Sequence, residues 1–305
     1  GWLAARRRLV ADKRGMGSTH RHFDLEGSVD YIDIVYEDYR KWGGLDAAAI
    51  EGASVLEVGP GDSFGVALRF LADGAARVVA IDRFVTFRDS EQQRRIYRLM
   101  RERLGAEQRE RLAEVLSEDG TLAPGERLRV IEGVPIEAAP ASLGTAAFDL
   151  IVSRAVMEHV LDLDSAFDAM DSLLRRGGRM AHEVDLRDHD IFSAGGQHPL
   201  TFLTVSDWVY RLMGASGGQP NRRLVDYYRD VAERLGYDAS VLVTHVAGEP
   251  EADAGAKTRV RGEDEIAVAE PLVEAIRPRL LSRFRGLSSA DLAVSGIFLA
   301  ASKPA

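Results

Sequence analysis

The chain has 305 residues, 46% of them hydrophobic and 29% charged, with a formal net charge of −9. That composition supports a sizeable core and excludes wholesale disorder, a collagen-like fibre and a disulfide scaffold. Without cysteine there is no thiolate metal site and no cysteine nucleophile, and the acidic balance disfavours a general nucleic-acid surface.

Residues 1–21 are basic, with Arg6, Arg7, Arg8, Lys13, Arg14 and Arg21 against Asp12. Val10 to Ser18 lacks the apolar stretch of a secretion signal. No run of 18 apolar residues marks a membrane span, so a cytoplasmic protein is expected. Residues 22–50 read as helical, and Gly43-Gly44 ends that pattern. The division is a basic lead-in and helical cap at 1–50, then one domain at 51–305.

From residue 52 short β-rich runs alternate with helices. Strands are expected at 53–58, 77–82, 127–131, 148–153, 178–184, 240–246 and 292–300. Helices fall at about 63–73, 162–175 and 226–236, with Gly177-Gly178 as a helix stop. Several strands are nearly continuous apolar runs, as in sheets covered on both faces. The expected fold is α/β: a doubly wound, mostly parallel, Rossmann-like seven-stranded sheet with a helical N-terminal cap and two helical insertions. The insertions, 84–126 and 185–239, are long enough to form a lid or substrate region.

The first strand runs into Glu57-Val58-Gly59-Pro60-Gly61-Asp62-Ser63 and then a helix. Glycines there permit a tight turn and close approach to a ligand. Glu57 would repel a pyrophosphate and suits a ligand carrying an amino group. Asp82, ending the second strand, can accept both hydroxyls of a ribose. A nicotinamide site would need G-x-G-x-x-G, whose third glycine is missing.

These residues resemble the class I S-adenosylmethionine-dependent methyltransferases of the small-molecule type. The resemblance rests on Glu57, Gly59 and Gly61, on Asp82, on FDLIVSRAVMEHV at 148–160, on LLRRGG at 173–178 and on the GIFLAASKP ending. It covers roughly residues 50–184 and 236–303. It implies S-adenosyl-L-methionine as cofactor, held by Glu57, Gly59, Pro60, Gly61, Asp82, Arg83, Val134, Pro135 and Ser153. Arg176 stands where proline is usual in the LLRRGG turn, and two further positions depart from the pattern. Ser63 replaces a third glycine, and the acid that usually meets the adenine falls near Val134-Pro135, where Glu132, Glu137 or backbone groups stand in.

Methyl transfer to a hydroxyl needs an aligned nucleophile and a proton acceptor. His159 follows the fourth strand, and Asp185 and His189 follow the fifth, at the sheet edge where ligands bind. These three are the catalytic candidates. His182, inside a strand, reads as a core histidine. The block Ala155-Val156-Met157-Glu158-His159 lacks the first carboxylate of the E-x-x-E-H block that holds a divalent cation in ubiquinone-pathway O-methyltransferases. No metal is therefore expected, although Glu158, His159, Asp185 and His189 could offer oxygen and nitrogen ligands.

Residues 83–111 carry nine arginines against five acids. They form either a solvated amphipathic face or a surface for an anionic acceptor. Phe202, Trp208, Tyr210, Tyr227 and Tyr228 of the second insertion are either a pocket wall or the core of a lid. The expected function is methyl transfer to a small organic acceptor of secondary metabolism, a hydroxyl first. A carbon acceptor, an RNA or protein methyltransferase and a silent cofactor-binding module are the alternatives. The expected partner is a small molecule, with no nucleic acid and no membrane, and a homo-oligomer stays open.

Overall fold

The computed structural model describes residues 19–213, 219–249 and 257–305. Most of the basic lead-in, residues 1–18, lies outside them.

Seven strands form one sheet: β1 (Ser54–Val58), β2 (Arg77–Asp82), β3 (Leu128–Glu132), β4 (Phe148–Arg154), β5 (Leu174–Asp185), β6 (Asp238–Val246) and β7 (Val294–Ser302). Their order is β3-β2-β1-β4-β5-β7-β6. All neighbours from β3 to β5 are parallel, while β7 runs antiparallel to both β5 and β6. The expected Rossmann-like sheet is therefore present, with β7 as its one reversed strand. Register pairs Val58 with Ile81 and Ser153, Asp82 with Glu132, and Arg154 with Glu183. The carboxyl ends of five strands thus share one edge, and the turn residues singled out from the sequence gather there.

Alternation along each strand divides the core. Val55, Val78 and Leu150 face one side, and Leu56, Val79 and Ile151 the other. On the first side lie α1 (Leu25–Trp42), α2 (Gly65–Ala72) and α3 (Ser90–Arg103). On the second lie α4 (Leu163–Leu173), α5 (Asp207–Met213), α6 (Val225–Arg234) and α7 (Glu263–Ile276). Caps fix the starts of three helices. Asp24 accepts from Gly27 N at α1, Asp89 from Glu91 N and Gln92 N at α3, and Asp162 from Ser165 N at α4. Among the described residues, no helix is long and apolar enough to cross a membrane.

Two readings change. Helix α4 ends at Leu173, and Gly177-Gly178 lie inside β5 instead of before it. Gly177 has φ +72°, and pairing with β4 jumps from Phe148–Leu174 to Leu150–Arg179. The glycine pair thus absorbs an irregularity in the ladder. The aromatics of the second insertion belong mainly to the core: Phe202, Tyr210 and Tyr228 are buried, whereas Trp208 is 70% exposed. Removing 186–235 would strip that face of the sheet and not merely open a lid.

Close approach of α1 and α2 depends on Gly65. A Cβ there would meet Ile32 Cδ1 at 2.2 Å. Gly65→Ala should destabilise the protein by about 1–3 kcal/mol in denaturant unfolding, with partial recovery when Ile32→Ala is added. Equal stability of wild type and Gly65→Ala would contradict this packing.

Candidate active site

The turn after β1 uses two left-handed glycines, Gly59 (φ +72°) and Gly61 (φ +64°). Gly59 N donates to Ile81 O at 2.8 Å, and a Cβ on Gly59 would lie 2.4 Å from Val156 Cγ2. Only glycine fits such a conformation and such a gap. Under the turn Glu57 is 6% exposed, and its Oε2 has no hydrogen-bond partner among the described residues. Burial pushes its pKa up to about 8, against the opposing charge of Arg88.

Arg88, from the first insertion, ties the turn to the neighbouring strand ends. It donates to Gly61 O at 2.6 Å, pairs with Glu132, and stacks over the Phe64 ring at 4.2 Å. Asp82 is nearly buried and receives Phe84 N at 2.8 Å, and burial raises its pKa. Val134 N donates to Asp82 O, which fixes the loop after β3.

A cavity of about 350 Å³ opens above these groups. Gly59 and Gly61 floor it, Asp82, Arg83 and Phe84 form one wall, and Val134 to Glu137 the other. His159 and His189 close its far end. Of the residues expected to contact a cofactor, Gly59, Gly61, Asp82, Arg83, Val134 and Pro135 line this space. Glu57 sits beneath it, and Pro60 lies outside the lining. Ser153 is turned away: it is fully buried, and its hydroxyl meets His182 Nδ1 at 2.7 Å. The alternation of β4 gives Ser153 to the sheet interior. Glu137 lines the cavity, whereas Glu132 is engaged by Arg88.

At the far end, the His159 and His189 rings are 4.9 Å apart. Burial lowers the His159 pKa to about 4, and His189 adds to the effect. His189 Nε2 stands 3.5 Å from Asp185 Oδ2. Burial opposes the Asp185 charge, but its bidentate partner Arg187 outweighs burial and keeps the carboxyl below its ordinary range. Ala155, His189 and Asp190 all take positive φ, of 49° to 61°. Strain at non-glycine residues gathers where the surroundings dictate side-chain direction. A second cavity of about 520 Å³ adjoins the first, is lined by Asp185 and Arg187, and shares His189 with it.

Two contributors escaped sequence reasoning. Arg88 was one arginine among nine, and no spacing marks it. Asn221 donates from Nδ2 to Met157 O and Val160 O at 2.7 and 2.8 Å, and from its backbone to Glu158 O. It thereby holds the turn carrying His159 from a distant insertion. The arginine-rich segment is mainly a solvated, ion-paired face. Arg94 meets Glu91, Arg98 meets Glu102, Arg103 meets Glu26 and Asp30, and Arg111 meets Glu51 and Glu107. Of the nine, Arg83 lines the cavity.

His182 is fully buried, and burial lowers its pKa to about 3. A group with a depressed native pKa stabilises the fold fully above its unfolded value near 6.5 and less as pH falls toward the native value. Between pH 6.5 and 5, wild type should lose about 2 kcal/mol more stability than His182→Phe. Parallel stability–pH curves would contradict a neutral buried His182.

A family model described as methyltransferase domain matches residues 37–237, two thirds of the chain. No curated protein matches significantly in sequence. Among solved structures, Haemonchus contortus phosphoethanolamine N-methyltransferase 2 in complex with S-adenosyl-L-methionine is 14% identical with a TM-score of 0.48. That alignment covers 96% of this chain and 60% of the Haemonchus contortus chain. An S-adenosylmethionine-dependent methyltransferase from Mesorhizobium loti is 12% identical, with a TM-score of 0.42 over 88% of this chain and 100% of that one. One from Archaeoglobus fulgidus is 11% identical, with a TM-score of 0.41 over 89% and 94%. With its glycine turn, its Asp82 and the match over residues 37–237, the chain belongs to the class I S-adenosylmethionine-dependent methyltransferases.

Proposed function

We propose that this enzyme methylates a small organic acceptor, a hydroxyl of a natural product or related metabolite, at the His159–His189 end of the cavity. The observation that carries the cofactor half of this reading is the buried Glu57 carboxylate with an unused oxygen beneath the glycine turn. A charged amino group placed there would supply the missing partner and let Glu57 ionise. Asp82 lines the same cavity and would receive the ribose hydroxyls, and Val134, Pro135 and Glu137 line the part that would take the adenine. When bound, S-adenosylmethionine supplies an electrophilic methyl group on a sulfonium.

This chain's residues bind, align and dehydrate. The cavity is mainly apolar around its few polar groups, so a small acceptor enters largely stripped of water. His159 and His189 are the polar side chains at its far end, with Asp185 beside His189 in the adjoining cavity. A neutral imidazole there accepts a hydrogen bond from the acceptor hydroxyl and orients its lone pair along the transfer line. The arginine-rich helix gives no support for an anionic acceptor, because its charges are largely spent on neighbouring acids.

Glu57→Gln should weaken S-adenosylmethionine binding about ten- to a hundredfold in calorimetry. In wild type Glu57 must lose a proton to receive the amino group, so affinity should rise with pH from about 6 to about 8, and the rise should vanish in the variant. Unchanged affinity in Glu57→Gln would contradict the cofactor placement. A panel of hydroxyl, amine and carbon acceptors, read for methyl incorporation, tests the acceptor class; incorporation into carbon alone would overturn the hydroxyl reading.

A further inference from the structure

Three side chains with unpartnered ligand atoms converge at the far end of the cavity. Glu158 is 1% exposed, and neither carboxylate oxygen has a hydrogen-bond partner among the described residues. The amides of Glu158 and Asp185 lie near it but only soften its burial. His159 Nδ1 and His189 Nε2 are buried and equally without a hydrogen bond. One donor atom from each of Glu158, His159 and His189 falls within 4.8 Å of the others.

We infer that Glu158, His159 and His189 bind one divalent transition-metal ion, with Asp185 as an outer carboxylate. An isolated buried carboxylate is costly unless a cation or a proton meets it. Among the described residues no side chain hydrogen-bonds either Glu158 oxygen. Two imidazoles and one carboxylate suit zinc, manganese, cobalt or iron, and not the all-oxygen preference of calcium or magnesium. Bonds of about 2.0–2.2 Å would draw the three donors about an ångström or two closer, within reach of side-chain torsions.

The surroundings are built to hold these donors. Asn221 Nδ2 ties Met157 O to Val160 O across the turn that carries Glu158 and His159, and His189 is held at φ +49°. Asp185 Oδ2 stands 3.5 Å from His189 Nε2, so a second carboxylate, shared with Arg187, lies beside the three donors. The ligand set differs from a contiguous helical motif, because His189 comes from the loop after β5, thirty residues beyond His159.

His159 and His189 line the cavity, so a coordination position would face the acceptor. An ion there would take up the imidazole lone pairs and, in place of their hydrogen bond to the acceptor, would bind the acceptor oxygen and favour its deprotonated form. This role rests on the methyl-transfer reading; binding of the ion does not. It departs from the expectation of no metal, which was drawn from a missing first carboxylate in the 155–159 block.

The test uses the full chain, stripped with a chelator and titrated with Zn²⁺ against a chromophoric competitor and with Mn²⁺ by electron paramagnetic resonance. Wild type should bind one ion per chain. Glu158→Gln and His189→Gln should each weaken binding about tenfold or more, while S-adenosylmethionine affinity of Glu158→Gln stays within about threefold of wild type. If Glu158→Gln does not fold, His189→Gln, at a loop position, carries the same comparison. No binding of either ion below about 100 µM, or equal binding in the folded variants, overturns the site. Loss of S-adenosylmethionine binding by wild type would instead strike the methyl-transfer reading and leave the ion result standing.

Discussion

One buried carboxyl group organises the cofactor end of this molecule. Glu57 lies at the end of a central strand, sealed from water, with an oxygen that nothing among the described residues satisfies. A carboxylate so placed lowers the stability of the ligand-free protein. It is tolerable because Arg88 sits close enough to oppose the cost and because Gly59 and Gly61 open the backbone beside it. The turn, the arginine and the two acids then form one unit whose missing element is a cation.

Elements outside the alternating core complete this unit. Arg88 comes from the first insertion and closes the turn against Glu132. Helix α1 reaches the same strand ends through Asp38, which receives Arg154 Nη1 at 3.0 Å and the Thr258 hydroxyl at 2.6 Å. Arg154 also pairs with Glu183 and lies over the Tyr31 ring. A buried charge network of this kind adds less to stability than to geometry, since its members must be dehydrated together. At the opposite end Asn221 and the strained His189 do the equivalent for the acceptor side. Both ends of the cavity are thus positioned by insertions, and the sheet supplies the edge between them.

The sheet was legible because its signal is local. Seven runs of apolar residues lie within a few residues of the seven strands, whereas the reversal of β7 shows only in its pairing with β5 and β6. The glycine turn and Asp82 were legible for the same reason: a left-handed turn and a strand-end acid are written in adjacent residues. Gly177-Gly178 misled because a glycine pair reads equally as a helix stop and as a ladder irregularity, and only the pairing partner decides. Ser153 was assigned to the cofactor from its place at a strand end, yet strand parity turns it toward His182. Arg88 and Asn221 were illegible because their partners lie 27 to 64 residues away. The convergence of Glu158, His159 and His189 needs the third dimension too, since the sequence separates the two histidines by an entire strand and helix.

The central claim is that the cavity over the glycine turn receives the cofactor with its amino group on Glu57. A crystal structure of the full chain with S-adenosylhomocysteine tests it most directly. The account predicts a Glu57 oxygen within hydrogen-bond distance of the ligand amino nitrogen and Asp82 within the same distance of both ribose hydroxyls. A ligand seated elsewhere, or one in this cavity that leaves Glu57 Oε2 without a partner, would contradict it.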